Sequence, residues 1–166
     1  MLLTPHTAAG IAIGAAIPNP IISVPLAFLS HFGLDLVPHW DDVGLAEVAR
    51  LGRLPRRAFR IILLDGLIAL SFLLYFLYWA MPDYGIGITI FASAFAANLP
   101  DMFYIPIVFW GKRWNWAIWM AKLQVKLQGK APLAWGISLQ TFLVAICSLV
   151  ARQEILAQLP QVWRIL

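Results

Sequence analysis

The sequence predicts an all-α fold: a polytopic transmembrane helical bundle of about five membrane segments, with short or broken helices and further helices at the interface. Two observations predict it. Apolar residues make up 61% of the 166 residues and charged residues only 12%, against roughly a quarter in an ordinary soluble domain. A water-soluble fold of this size has too little interior to hide that much apolar surface. The charges are also segregated. Ten of the twelve Lys and Arg fall within 41–60 and 111–130, between long apolar runs. The net charge of +4 therefore points to a membrane surface and not to nucleic acid.

The chain reads as one integral membrane domain, 1–166, with membrane segments near 5–17, 20–38, 60–80, 85–110 and 132–151. A helix needs about 20 residues to cross about 30 Å of hydrocarbon. The first segment falls short. Thr4 suits an N-cap and Pro5 a first helical position, and the segment ends at Pro18-Asn19-Pro20, so it is expected to be a short helix packed against protein. It lacks a basic region ahead of its apolar run and carries His6, so it does not read as a cleavable signal peptide. The second and fourth segments contain Pro25, Pro38, Pro100 and Pro106. Each proline leaves a backbone carbonyl that must find another partner in lipid. The third and fifth segments are long enough to span.

The connections read as interfacial. Residues 41–59 carry Asp41, Asp42, Glu47 and four arginines; residues 111–130 interleave lysines with Trp114, Trp116 and Trp119. That mixture suits a helix in the headgroup region. The tail 152–166 carries a weaker version. The turn from Met81 to Gly85 has no Lys or Arg, so the positive-inside rule places both basic connections and the N-terminus in the cytoplasm, and the C-terminus outside. Cys147, the one cysteine, has no internal disulfide partner and reads as a packing residue.

Ionisable side chains in membrane segments are costly and often functional. The candidates are His6, His31, Asp35, Asp65 and Asp101, with His39 at the end of the second segment. All six fall on the cytoplasmic side of a topology fixed from Lys and Arg alone. His31, Asp35 and His39 stand four residues apart, and side chains at that spacing share a helix face. The run thus points three potential metal ligands one way, unless Pro38 turns the chain and brings His39 in from a loop. Imidazole with carboxylate suits zinc, manganese or iron. The competing reading is a set of unconnected hydrogen bonds between helices. A weak internal repeat, 5–40 against 60–103, sets Ser30 on Ser93, Asp35 on Asn98 and, after one gap, Pro38-His39 on Pro100-Asp101. Two related hairpins would each supply polar groups to one interface.

Thr4-Pro5-His6-Thr7-Ala8-Ala9-Gly10, the segment from Ser30 to Asp41 with its His31-x-x-x-Asp35, and Leu99-Pro100-Asp101 together resemble the motifs of small bacterial membrane-bound metal-dependent hydrolases. The resemblance covers the first 101 residues and carries His6, His31, Asp35 and Asp101. The His-x-x-x-Asp helix precedes the Pro-Asp in this chain, the reverse of the family's order, and the family's His-Arg-Gly segment is absent. It implies a metal-dependent hydrolase of the bacterial plasma (inner) membrane.

The leading expectation is a hydrolase acting on a lipid or lipid-linked phosphate at the cytoplasmic leaflet. His31, Asp35 and His39 would be ligands, with His6, Asp65 and Asp101 completing one or two positions for zinc, manganese or iron. Asp101 or Asp41 would be the general base. The alternative is a non-enzymatic protein with a structural or transport-related metal or proton site. A transport path needs polar groups on both sides of the midplane, and the outer half carries few: Asn19, Asp83 and some hydroxyls.

Overall fold

A computed structural model of the chain describes residues 1–40, 55–112 and 114–158. Among them are seven helices: α1 Leu3–Ala16, α2 Pro20–Leu36, α3 Arg56–Ala80, α4 Tyr84–Met102, α5 Ile105–Trp110, α6 Asn115–Leu127 and α7 Leu133–Gln158. The described residues contain no strand, only an isolated bridge between His39 and Lys130. Each of the five expected membrane segments is helical. Two helices, α3 and α7, are long and apolar enough to cross a membrane, and α2 is apolar but shorter. By composition and length, the described chain therefore has two candidate spans where five segments were expected.

A short apolar helix holds the centre. α1 runs for 14 residues, about 21 Å, and packs against α2, α3, α4 and α7. Ten of its residues, from Pro5 to Ala15, are buried. Small side chains make this possible. A Cβ on Gly10 would stand 2.6 Å from the Ala94 Cα and 2.7 Å from the Ser93 carbonyl oxygen. One on Gly14 would stand 2.8 Å from the Ile90 Cα. The Gly10-x-x-x-Gly14 face thus lets the α1 and α4 backbones touch, the close approach that small residues four apart allow.

A buried helix start must still satisfy its first amides. Thr4 was the expected N-cap; the cap position is Leu2 instead, and it makes no side-chain cap. The partners come from other helices. The Leu2 amide donates to Gln140 Oε1 on α7 at 3.1 Å. The Leu3 and Thr4 amides donate to Asp65 on α3, at 2.5 and 3.2 Å. Pro5 has no N–H to satisfy. The next two helices are capped locally: Asn19 accepts from the Ile21 amide at the start of α2, and Asp83 accepts from the Ile86 amide at the start of α4.

α2 ends at Leu36, and Val37 adopts an extended conformation, as the residue before a proline is pushed to do. α4 carries Pro100 within its last turn and ends at Met102. The short α5 follows and is closed by Gly111 in the left-handed region, φ 61°. Of the expected interfacial stretch 152–166, residues 159–166 lie outside the described residues. α7 continues without a break to Gln158, whose side chain donates to the Ala15 carbonyl at 2.8 Å.

The distribution of side chains is inverted relative to a soluble protein. Leu63, Leu64, Leu67 and Leu70 on α3, Ile21 and Leu29 on α2, and Phe142 and Leu149 on α7 are exposed. His6, Ser23, His31, Asp35, Ser93, Asn98, Gln124 and Gln140 are buried. So extended an apolar exterior far exceeds what soluble monomers expose.

Candidate metal centre

Three helices bring four polar residues together. α1 presents His6 two residues after its amide-anchored start. α2 presents His31 and Asp35 on one face. α4 contributes Asp101 from the turn that contains Pro100. His6 Nε2 lies 3.3 Å from Asp35 Oδ1, and His31 Nε2 lies 3.3 Å from Asp35 Oδ2. His31 Nε2 is 3.6 Å from Asp101 Oδ1. The two imidazoles stack with centroids 4.0 Å apart. Ligand atoms of His6, His31 and Asp101 all lie within 4.8 Å of one another, the group among the described residues that could hold a metal ion.

The separations among His6, His31 and Asp101 are compatible with one shared ion. Charge-assisted hydrogen bonds between nitrogen and carboxylate run about 2.7–2.9 Å. Two ligands on one tetrahedral ion with bonds near 2.1 Å lie about 3.4 Å apart. The contacts at 3.3, 3.3 and 3.6 Å sit at that second distance. Both ring nitrogens of His6 and Nε2 of His31 are buried with no hydrogen-bond partner among the described residues, a costly arrangement for polar atoms.

His31 is also oriented from behind. Its Nδ1 lies 2.8 Å from the Ala97 carbonyl oxygen. A carbonyl only accepts, so Nδ1 carries a proton and donates it there, and Nε2 faces the carboxylates. Metal-ligating histidines are held in this way by an outer partner. The α6–α7 connection supports Asp35: the Gly129 amide donates to the Asp35 carbonyl at 2.8 Å, and a Cβ on Gly129 would stand 2.6 Å from the Leu36 carbonyl oxygen. His6, His31 and Asp35 are fully or almost fully buried, whereas the Asp101 side chain is 24% exposed. The centre therefore has one open edge, at Asp101.

The other sequence candidates lie elsewhere. Asp65 gives its carboxylate to the start of α1: Oδ2 accepts from the Leu3 amide, and Oδ1 accepts from the Thr4 amide and from the Thr4 hydroxyl at 2.6 Å. His39 is buried beyond the end of α2. Its Nδ1 lies 2.8 Å from the Val37 carbonyl oxygen, and its backbone bridges to Lys130. Asp41 lies outside the described residues.

Some participants were not singled out in the sequence. Met1 places its ammonium 2.6 Å from Asp35 Oδ1. Gln140 joins the Leu2 amide to the Trp40 carbonyl through its two ends. Asn98 donates to Thr7 Oγ1 at 2.9 Å. An amide side chain in an otherwise apolar helix was the available signal for Gln140. Comparison with protein-family models, with curated proteins and with solved structures finds no match.

Proposed function

We propose that the chain is a multi-pass protein of the bacterial plasma membrane that holds one divalent cation, zinc foremost, and hydrolyses a lipid or lipid-linked phosphate ester at the cytoplasmic leaflet. The observation that carries this reading is the centre itself: two buried imidazoles and the Asp101 carboxylate with ligand atoms within 4.8 Å of one another, and the buried Asp35 carboxylate 3.3 Å from each ring. The four residues gathered are also the four that the sequence resemblance carries. Manganese or iron suits the same donors.

The membrane reading is supported by the apolar exterior and by α3 and α7. α1 and α2 then pass beside them as shorter segments that share the bundle's interior. The exposed Trp114, Trp116 and Trp119 sit with Lys112, Lys122 and Lys126 along α6 and its approach, as an interfacial helix requires.

Within the site, His6, His31 and Asp35 would hold a cation, and three protein ligands would leave a position open, as in catalytic zinc sites. Bound there, a divalent cation supplies Lewis-acid polarisation of a phosphoryl oxygen and a lowered pKa for water. Asp101 stands where water and substrate reach the centre, and its carboxylate accepts the proton as general base. The Ala97 carbonyl holds the His31 tautomer, and Gly129 holds the end of α2 that carries Asp35. Asp41, the other expected base, enters no step.

A second reading has its own observation. The Met1 ammonium at 2.6 Å gives Asp35 a cationic partner without any metal, which favours a structural or proton-bearing site. Turnover separates the two. Purified protein in nanodiscs should release phosphate or headgroup from at least one member of a panel of phosphorylated lipids, and Asp101→Asn should lower that release by about 10²–10⁴-fold. Metal-loaded protein inactive across the panel would leave the structural reading in its place.

A further inference from the structure

We infer that Asp65 is a positioning residue: by taking up the first amides of α1, it fixes where that helix starts and so where His6 meets His31 and Asp35. The inference rests on the metal reading of the centre. Both Asp65 oxygens are engaged by α1. Oδ2 accepts from the Leu3 amide at 2.5 Å, and Oδ1 accepts from the Thr4 amide at 3.2 Å and the Thr4 hydroxyl at 2.6 Å. These are the first two helical amides, and His6 follows two residues later in the same turn. A carboxylate at this end of a helix also meets the positive pole of its dipole.

The anchor is rigid because its neighbours leave no slack. Asp65 is buried, within the longer α3. Pro5 offers no N–H that could take over if the carboxylate were lost. Four residues beyond His6, Gly10 lies against the α4 backbone, so the helix is gripped on both sides of the ligand. Among the described residues, neither ring nitrogen of His6 has a hydrogen-bond partner. The ring stacks on His31 and meets Asp35, and where its backbone starts is held by Asp65 together with Gln140. The i+4 logic that serves His31 and Asp35 has no part in this; the coupling runs between helices.

Asp65→Asn tests it with little change of volume. One amide oxygen can still accept, but the NH2 that replaces the second oxygen is a donor and cannot pair with the Leu3 or Thr4 amide. Co2+ binding to the purified protein is read by titration and by the visible absorption of the bound ion, beside a thermal midpoint. The variant should bind one Co2+ about 10–100-fold more weakly than wild type, the usual cost of losing an outer-shell partner, with a spectrum like that of wild type because the ligands are the same. His6→Ala should alter the spectrum. Phe76→Leu, a core change near the far end of α1, should lower the midpoint and leave Co2+ affinity unchanged. If Asp65→Asn fails to fold, Thr4→Val removes the hydroxyl contact alone and should weaken binding by a smaller factor. Wild-type affinity in the folded variant, or a spectrum altered as in His6→Ala, overturns the positioning role, the latter by making Asp65 a ligand. Wild-type protein that takes up no Co2+ overturns the metal reading, and with it this inference.

Discussion

Adding one methyl group to Gly10 should damage the centre from a turn away. The new Cβ would stand 2.6 Å from the Ala94 Cα and 2.7 Å from the Ser93 carbonyl oxygen, where ordinary contact begins at 3.4 Å. Both neighbours are backbone atoms of α4 and cannot rotate aside. α1 and α4 must therefore separate locally by about 0.8 Å, the difference between the two distances. His6 is four residues from Gly10 on the same side of α1, while Asp101 and the Ala97 carbonyl that orients His31 belong to α4. A shift of that size exceeds the roughly 0.2 Å tolerance of metal–ligand bonds. Overpacking of this kind costs about 1–3 kcal/mol, which the site can lose as tenfold or more in metal affinity. The assay is Zn2+ competition against a chromophoric chelator, with circular dichroism to confirm retained helix. Gly33→Ala is the control: it lies on α2 between His31 and Asp35, and its Cβ would meet nothing within 4 Å. Unchanged affinity in Gly10→Ala, or an equal loss in Gly33→Ala, would refute the argument that α1–α4 contact sets the site.

Three further outcomes are expected. Asp101→Asn should keep its metal, since the three buried residues still hold it, and lower turnover by about 10²–10⁴-fold; parallel loss of metal would move Asp101 into the ligand set. Imidazole ligands must be neutral, so metal occupancy should fall as pH drops through the histidine range near 6.5, and equilibrium dialysis at stepped pH would show a flat profile if no histidine binds metal. In a Cys147→Ser background, a cysteine at Arg56 should react with impermeant maleimide only from the cytoplasmic side and one at Tyr84 only from outside; the reverse pattern would invert the assigned sidedness.

Much of this was legible because membrane chemistry is written locally. Apolar runs marked the helices, and the i+4 spacing of His31 and Asp35 placed both on one face, where Asp35 meets His31 at 3.3 Å. The repeat alignment set Asn98 opposite Asp35, and both positions reach α1, at Thr7 and at His6. What the sequence could not convey was where local rules stop. Pro38 ends the helical register before His39, so the four-residue spacing no longer applies and the chain bridges to Lys130. Thr4 carries a good capping side chain, yet the α1 amides are satisfied by Asp65, 62 residues away at the nearest contact. The sequence set a boundary near 151, yet α7 runs on to Gln158, whose side chain meets α1 at Ala15. Each difference is a tertiary partner outcompeting a neighbour in sequence.

The central claim is that the buried His6, His31 and Asp35 hold a divalent cation. Elemental analysis of protein purified without chelator, alongside His31→Ala prepared in the same way, tests it most directly. The account predicts close to one equivalent of zinc, manganese or iron per wild-type chain and none in the variant, with both preparations equally helical. Metal-free wild-type protein that also takes up no ion on dialysis, or equal metal in the His31→Ala protein, would contradict it.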